Sequence, residues 1–415
     1  MNYICALDIG SSKIAAAVAQ LKGKHITQIY FECAPSKGIK QGVIVDSVDL
    51  VDAVGKVMKN LKARSGIPIR SLHTNISGKH VITKRSRAII PLTERGNKVV
   101  TYSDIQKVHD QALILGSHID EELVHFFPLS YITDSGGDVF NPLGLYSHRL
   151  EVDLFMISGK LSSIQTVTHV VHQAGYDIRS IFLPGLTTSE IVFASEHGKG
   201  WSILCDIGSD VTEIVLCKAG MLKDIRILPL GGDDLTAALS QSLQVPWELA
   251  EDLKISYGAI GDPARIPEEK EVLIKKESVY KPVKQRAVCE IITARAQEMC
   301  RQLKQALDKD VSWLEVDNFV VAGRTVFQEG FLEMLEATVG VPVRAARISN
   351  AEVIPFVNTN DVLSGQKYLT YLTALGLICK QMGEFQPHTS AVPNLPRHPV
   401  AKFFHKAKEI YQEYF

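Results

Sequence analysis

One short pattern occurs twice in this chain. An apolar segment that ends in Asp-Ile-Gly-Ser occupies residues 3–11 (YICALDIGS) and returns at residues 201–209 (WSILCDIGS). A second apolar segment follows each copy, so each copy is typical of a β-hairpin with a tight polar turn. A duplicated unit of this kind predicts two related α/β lobes within one chain.

The first turn, Gly10-Ser11-Ser12-Lys13, is suited to binding phosphate. Glycine lets the backbone approach closely, and amides and hydroxyls donate to phosphate oxygens. Lys13 adds positive charge, and Asp8 at the strand end is predicted to hold Mg²⁺ through water. By itself, however, this segment is also typical of an ordinary hairpin turn.

The second copy favours the phosphate interpretation. Asp206, Gly208 and Ser209 repeat the acid and the glycine turn in the other lobe. Two facing hairpins would clamp the phosphates of a nucleotide, and Asp8 and Asp206 would share one Mg²⁺. The sequence contains no P-loop, and no GxGxxG follows a strand, so the common alternative nucleotide motifs are absent.

Composition excludes several other classes of function. A length of 415 residues predicts two or more domains, and a net charge of −1 argues against a nucleic-acid partner. The seven cysteines form no CxxC, which indicates reduced thiols in a cytosolic protein. The N-terminus is unlike a signal peptide. No stretch approaches the roughly 20 apolar residues that span a bilayer, so we expect any membrane contact to be peripheral.

The motifs resemble the actin–Hsp70–sugar kinase superfamily, whose members carry two such phosphate loops and an adenosine loop. Residues 231–239 (GGDDLTAAL), 250–258 (AEDLKISYG) and 320–331 (VVAGRTVFQEGF) match further segments in the expected order. The resemblance implies that the chain binds ATP with Mg²⁺. It assigns nucleotide binding to Asp8, Gly10, Ser11, Ser12, Lys13, Asp206, Gly208, Ser209, Gly231, Gly232, Glu251, Lys254, Gly323 and Arg324, with Glu251, Lys254 and Arg324 at the nucleoside.

The chain departs from the superfamily pattern at two loops. Ser209 and Asp210 stand where two glycines are usual, and Arg324 stands where a second glycine is usual. Asp210 brings a negative charge near the phosphates. Arg324 would either stack on adenine or fill its slot. We therefore expect ATP binding with slow or negligible hydrolysis, and no catalytic residue is assigned.

Residues 141–159 (NPLGLYSHRLEVDLFMISG) and the C-terminal FHKAKEIYQEYF resemble the FtsA family of bacterial cell-division proteins. This resemblance implies an actin-like (ribonuclease H-like) two-lobe α/β fold with a small inserted subdomain. It also implies self-association into protofilaments, other division proteins as partners, and a place on the inner face of the cell membrane at the division site. The C-terminal peptide of the tubulin-like protein FtsZ would contact Arg286, Glu290 and Arg295.

The resemblance also predicts a domain division. The predicted parts are a first lobe core at 1–80, 161–192 and about 345–382, an inserted subdomain at 81–160, a second lobe core at 193–230 and 311–344, a helical subdomain at 231–310, a linker at 383–399 and a membrane-targeting helix at 400–415.

The last sixteen residues have helical apolar spacing. A helix of this length, about 24 Å at 1.5 Å per residue, would lie in a membrane surface with lysines against anionic headgroups. An alternative is a terminal helix packed on its own protein, but a Pro-rich polar segment precedes it. The predicted membrane contacts are Lys402, Phe403, Phe404, Lys406, Ile410, Tyr411, Tyr414 and Phe415.

Two alternative functions stay open at this point. One is an Hsp70-like ATPase or a sugar kinase, although the sequence has no substrate-binding β-domain after the nucleotide lobes. The other is a pilus or secretion adaptor similar to PilM, which is not expected to carry an amphipathic tail.

Overall fold

A computed structural model describes residues 2–383 apart from 41, 94–95, 135, 195–197, 277–278, 364 and 366. The predicted helix at 400–415, and all but the first residue of the predicted linker, lie outside the described residues. The chain forms two compact units, which divide between residues 82 and 83 and again between residues 158 and 159. The smaller unit contains 83–158, and the larger one contains the rest of the described residues.

The first lobe begins with an antiparallel meander and a long helix. Its elements before the insertion are β1 (Asn2–Ile9), β2 (Lys13–Lys22), β3 (His25–Pro35), β4 (Ile39–Lys40), β5 (Val43–Ile44), α1 (Ser47–Ser65) and β6 (Ser71–Asn75).

The segment that follows supplies the smaller unit. Its elements are β7 (Val81–Pro91), β8 (Lys98–Val99), α2 (Tyr102–Gly116), β9 (Glu121–Ile132), β10 (Asp138–Val139), β11 (Tyr146–Ser147) and β12 (Arg149–Lys160). A four-stranded sheet in the order β10-β9-β12-β7 carries a core of its own with α2.

The chain then completes the first lobe and builds the second. The elements are α3 (Leu161–Gln173), β13 (Asp177–Phe182), α4 (Pro184–Val192), β14 (Trp201–Ile207), β15 (Thr212–Lys218), β16 (Met221–Leu228), α5 (Gly232–Leu243), α6 (Trp247–Tyr257), β17 (Glu271–Lys276), β18 (Val279–Lys284), α7 (Gln285–Leu307), β19 (Val316–Ala322), α8 (Phe331–Val339), β20 (Arg344–Ala345), α9 (Ile354–Thr359) and α10 (Leu372–Met382).

The two large sheets repeat one topology. The first has the order β13-β6-β1-β2-β3, and the second has the order β20-β19-β14-β15-β16. In each sheet an antiparallel meander is extended by strands parallel to its first strand, β6 beside β1 and β19 beside β14. The duplication read from the sequence is therefore a duplication of structure.

Helix α1 illustrates why the first lobe folds as it does. The side chain of Asp46 accepts from the backbone N–H groups of Val48 and Asp49, and Gly66 ends the helix in the left-handed region at φ 68°. One face of the helix is buried against the sheet, which excludes water from both. That face consists of Leu50, Val54, Val57, Met58 and Leu61.

Among the helices that the structure describes, none is both long enough and apolar enough to cross a membrane.

Candidate functional site

A cleft of about 730 Å³ opens within the larger unit, lined by residues of both lobes. A cleft of this size accommodates a small-molecule ligand. Its lining contains every residue that the sequence assigned to nucleotide binding, with one exception. The exception is Gly231, which packs behind the second hairpin, where a Cβ would lie 2.3 Å from the Ser209 carbonyl oxygen.

The two hairpins that line the cleft close in the same way. In the β1–β2 hairpin the Gly10 N–H donates to the Lys13 carbonyl at 3.0 Å. In the β14–β15 hairpin the Gly208 N–H donates to the Val211 carbonyl at 2.9 Å. The acids Asp8 and Asp206 therefore occupy matching positions, each one residue before the end of its strand.

Contacts inside the first lobe fix the side chain of Lys13. Its ammonium lies 3.1 Å from the Asp8 carboxylate and donates to the Thr370 carbonyl at 2.5 Å. Thr370 lies two residues before α10, so Lys13 joins the first hairpin to the segment that leads into that helix. The lysine charge is thereby held beside Asp8 at the cleft wall.

Asn75 orients Asp8, and sequence reasoning missed it. The Asn75 amide donates to Asp8 Oδ1 at 2.6 Å and accepts from the Ile9 N–H at 2.8 Å. Asn75 is the last residue of β6, which lies parallel to β1, so the sheet brings the two side chains together. In the sequence Asn75 is only an amide at the end of a predicted strand. Its role beside Asp8 can be inferred only once β6 is known to lie next to β1.

Asp206, the matching acid of the second hairpin, is held by a residue of α4. The Thr188 hydroxyl donates to Asp206 Oδ2 at 3.1 Å. Burial raises the pKa of Asp206 to about 6, and the negative charge of Asp8 contributes to the rise. The two carboxylates therefore face the same space closely enough to interact.

Within the described parts of the chain, no three His, Cys, Asp or Glu side chains converge as a metal-ion site. Mg²⁺, however, usually binds through one or two carboxylates, several waters and substrate phosphates. The repulsion between Asp8 and Asp206 is the kind that a cation between them relieves. The pair thus fits a hydrated Mg²⁺ that is completed by a nucleotide.

Asp210 forms a carboxyl pair with Asp233. Burial raises the pKa of Asp233 to about 7, and the charge of Asp210 and a hydrogen bond between the two side chains contribute. Near neutral pH the pair shares a proton for part of the time, so it carries less than two full negative charges.

Glu213 is a third buried acid of the cleft, and it was not among the predicted site residues. Its carboxylate accepts from the Ser77 hydroxyl and, at 2.6 Å, from the Gly185 N–H. Burial raises its pKa to about 8, with smaller contributions from the charges of Asp206 and Asp8. Glu213 lies on β15 of the second hairpin and Ser77 follows β6, so this contact joins the two lobes.

Glu251 and Lys254, three residues apart on α6, contact each other. Their carboxylate and ammonium groups lie 2.6 Å apart. Lys254 also donates to Thr236 Oγ1 at 2.8 Å and to the Gly232 carbonyl at 3.2 Å. The pair therefore holds the Gly-Gly turn at the start of α5 while lining the cleft.

Gly323 brings the loop after β19 onto the second hairpin. It adopts φ 89°, and a Cβ at this position would lie 2.0 Å from the Ile207 carbonyl oxygen. Only glycine meets both conditions without strain. The next residue, Arg324, is exposed and extends to Ser12 of the first hairpin, to whose hydroxyl it donates.

The residues predicted to meet a partner peptide lie on α7. Arg286 and Glu290 are 3.5 Å apart on an accessible face. Arg295 instead forms an ion pair with Asp234 of α5, so it also fixes α7 to its own subdomain. The predicted membrane residues, from Lys402 to Phe415, lie outside the described residues.

Two family models match the chain. The model described as "Cell division protein FtsA" matches residues 203–376, and the model described as "SHS2 domain inserted in FTSA" matches residues 78–158.

Several relatives named "Cell division protein FtsA" align along most of the chain. The protein from Pseudomonas aeruginosa is 26% identical over 91% of this chain and 88% of its own length. The protein from Neisseria meningitidis is 26% identical over 94% of both chains. The protein from Streptococcus pneumoniae is 26% identical over 83% of this chain and 75% of its own length.

Solved structures share the fold. A chain of a PilM–PilN type IV pilus biogenesis complex aligns with a TM-score of 0.64 at 16% identity, covering 91% of this chain and 98% of that one. MreB5 of Spiroplasma citri bound to ADP aligns with a TM-score of 0.50 at 9% identity, covering 87% and 96%. The predicted actin-like α/β fold with a small inserted subdomain is confirmed.

Proposed function

Since the chain belongs to the FtsA family of cell division proteins, we propose that it binds ATP, self-associates into filaments and tethers FtsZ polymers to the inner face of the cytoplasmic membrane. The observation that carries the nucleotide part is the matched pair of hairpins at one cleft. Fold neighbours support it, because MreB5 of Spiroplasma citri has been solved bound to ADP.

Each part of the cleft has a role in this proposal. The hairpin turns donate amides and hydroxyls to the phosphates, and Lys13 adds charge. Asp8 and Asp206 would hold a hydrated Mg²⁺, which would neutralise phosphate charge. Asn75 and Thr188 hold those two carboxylates in place. Glu251 and Lys254 meet the nucleoside.

Turnover of ATP is proposed to be slow. A hydrolytic site needs a group that activates water next to the terminal phosphate. Glu190, which precedes the second hairpin, is ion-paired to Lys380 and is not part of the cleft lining. Glu213 is held by Ser77 and by the Gly185 N–H. Neither carboxylate is therefore free to act as a base in this arrangement.

Equilibrium binding of ATP tests the nucleotide site. In the full chain, Asp206→Asn should weaken binding of Mg-ATP about tenfold or more, because a carboxylate that positions the metal is lost. In EDTA the same change should leave ATP binding unchanged or strengthen it, because a repelling charge is removed. Asp252→Asn, an exposed change on α6 outside the cleft, is the control. A wild-type chain that binds no ATP would contradict the proposal.

Pelleting with liposomes tests the membrane tail. Deleting residues 400–415 should abolish sedimentation with anionic vesicles, because a helix with one apolar face inserts into the lipid interface. Phe404→Glu, on that apolar face, should reduce pelleting strongly. Gln412→Glu, on the opposite face, adds the same charge and should change it little. Equal effects of the two substitutions would argue against an interfacial helix.

Filament formation and FtsZ binding need separate measurements. Electron microscopy on anionic lipid monolayers with ATP should reveal filaments of the full chain and none without the tail, since many tails on one polymer bind cooperatively. A fluorescent FtsZ C-terminal peptide should bind less tightly to Glu290→Lys, an exposed change on α7. Absence of filaments under all nucleotide conditions would contradict self-association.

The alternative of a pilus or secretion adaptor rests on the PilM–PilN fold match. An adaptor of this kind is expected to bind another protein and not to bind lipid. Sedimentation with liposomes that depends on residues 400–415 would therefore favour the membrane tether over the adaptor.

A further inference from the structure

Arg324 lies between the two hairpins. Its backbone follows Gly323, which packs on the Ile207 carbonyl of the second hairpin. Its guanidinium contacts the Ser12 hydroxyl of the first hairpin. The side chain therefore crosses the part of the cleft where the two turns face each other, and that part lies at the phosphates if the cleft takes a nucleotide.

The charges of the cleft favour such a cation when the ligand is a polyanion. Among the described residues that line it are seven acidic side chains, two of which, Glu213 and Asp233, have raised pKa values, and three cations. A ligand with several negative charges is repelled by this excess unless cations offset it. The carboxylates are Asp8, Asp206, Asp210, Glu213, Asp233, Glu251 and Glu329, and the cations are Lys13, Lys254 and Arg324.

Two of the three cations are already engaged by carboxylates. Lys13 contacts Asp8, and Lys254 contacts Glu251. The contact that the structure records for the Arg324 guanidinium is with the Ser12 hydroxyl, a neutral group. Among the described cleft residues, Arg324 is therefore the cation whose charge is least offset by a near neighbour.

We propose that Arg324 binds the phosphate groups of the nucleotide, and does not stack on its adenine ring. This deepens the proposed function and rests on it. A guanidinium presents its N–H donors in a planar fork that fits phosphate oxygens. Arg324 supplies positive charge next to the hairpin in which Asp210 brings a negative one. In the structure the guanidinium donates to the Ser12 hydroxyl of the first hairpin.

This role differs from the one that the sequence suggested. The nucleoside position predicted for Arg324 followed from its place in an adenosine loop. The structure instead directs its guanidinium toward the first phosphate hairpin. The helix α6, with Glu251 and Lys254, remains the candidate nucleoside wall.

A series of ligands separates the two roles. Binding of Mg-ATP, Mg-ADP, AMP and adenosine to the full chain is measured by competition against a fluorescent ATP analogue. Arg324→Gln should lower the affinity for ATP and ADP about tenfold or more, because charge-assisted hydrogen bonds to phosphate are lost. The affinity for adenosine should fall less than about twofold. Arg324→Lys should restore part of the ATP affinity, because it keeps the charge without the fork.

The control is Arg265→Gln, which removes the same charge from an exposed position outside the cleft and should change no affinity. Thermal melting of each variant checks that it folds. An equal loss for adenosine and ATP would overturn the proposal in favour of stacking on adenine. Unchanged ATP binding by Arg324→Gln would also overturn it while leaving the nucleotide site intact. A wild-type chain that binds none of the four ligands would overturn both.

Discussion

Glu213 places a buried acid where the two lobes meet, and its protonation affects stability. Its pKa is raised from the usual 4.5 to about 8, chiefly by burial. The folded protein therefore holds this proton more tightly than the unfolded chain does. The resulting stability is complete below pH 4.5 and is lost as the pH rises through about 8.

Glu213→Gln should therefore flatten the pH dependence of unfolding. Glutamine keeps the shape and stays neutral, so the variant should gain stability relative to wild type as the pH rises from 5 to 8, by at most about 1.4 kcal/mol per pH unit. Urea denaturation of the nucleotide-free chain at several pH values measures the difference. Glu248→Gln, at an exposed position on α6, should leave the profile unchanged. If the free energies of unfolding of wild type and Glu213→Gln differed by the same amount at every pH, Glu213 would contribute through packing only.

The same residue marks the limit of what the sequence predicted at the site. Asp8 and Lys13 were identifiable because the turn chemistry and the acid lie within six consecutive residues. Asn75 and Glu213 were not, because their partners come from other strands and from the other lobe. The sequence placed Arg324 at the cleft but did not give the direction of its side chain. That direction depends on the close packing of Gly323 against Ile207, which no sequence pattern reveals.

The contact between α4 and α10 is a close approach of two buried helices. A Cβ on Gly376 of α10 would lie 2.1 Å from the Thr187 carbonyl oxygen of α4. Gly376→Ala should destabilise the chain by about 1–3 kcal/mol, because backbone cannot move aside as a side chain does. Gly55→Ala in α1, where a Cβ meets no atom within 4 Å, should be neutral or stabilise by up to about 1 kcal/mol.

The free energy of unfolding in urea distinguishes the two substitutions. If Gly376→Ala and Gly55→Ala changed the free energy of unfolding equally, helix propensity would outweigh the close approach of Gly376 to Thr187. Gly376 also lies just beyond the start of α10, where Thr370 accepts from Lys13. Loss of ATP affinity in Gly376→Ala would therefore indicate that α10 positions the first hairpin.

Elements were more predictable than their arrangement. The repeated apolar strand, turn and second strand located β1, β2, β14 and β15, because hairpins form between neighbours in sequence. The order of each sheet was not derivable, since β6 and β19 pair with strands far away in the chain. Helices α1 and α3 each bury one regular face, which is the periodicity by which a helix is identified in a sequence.

At the level of the whole chain, the smaller unit has the properties of an independent domain. Its core cluster, from Ala88 to Met156, contains residues of 83–158 only. Within the larger unit, the points where the chain leaves and returns are adjacent, because the Lys160 N–H donates to the His80 carbonyl at 2.9 Å. Such an insertion should be removable without unfolding the larger unit.

We expect the isolated segment 83–158 to fold, and the chain that joins Ile82 to Gly159 through a short glycine linker to keep its nucleotide cleft. The cleft is lined by residues of the larger unit, so ATP affinity should change less than about threefold. Circular dichroism during urea denaturation should report one cooperative transition for the segment. Filament formation on lipid should be the property that changes, if the inserted domain takes part in contacts between copies. A shortened chain that unfolds would mean that the insertion supports the first lobe, and the two units would then be a single folding unit.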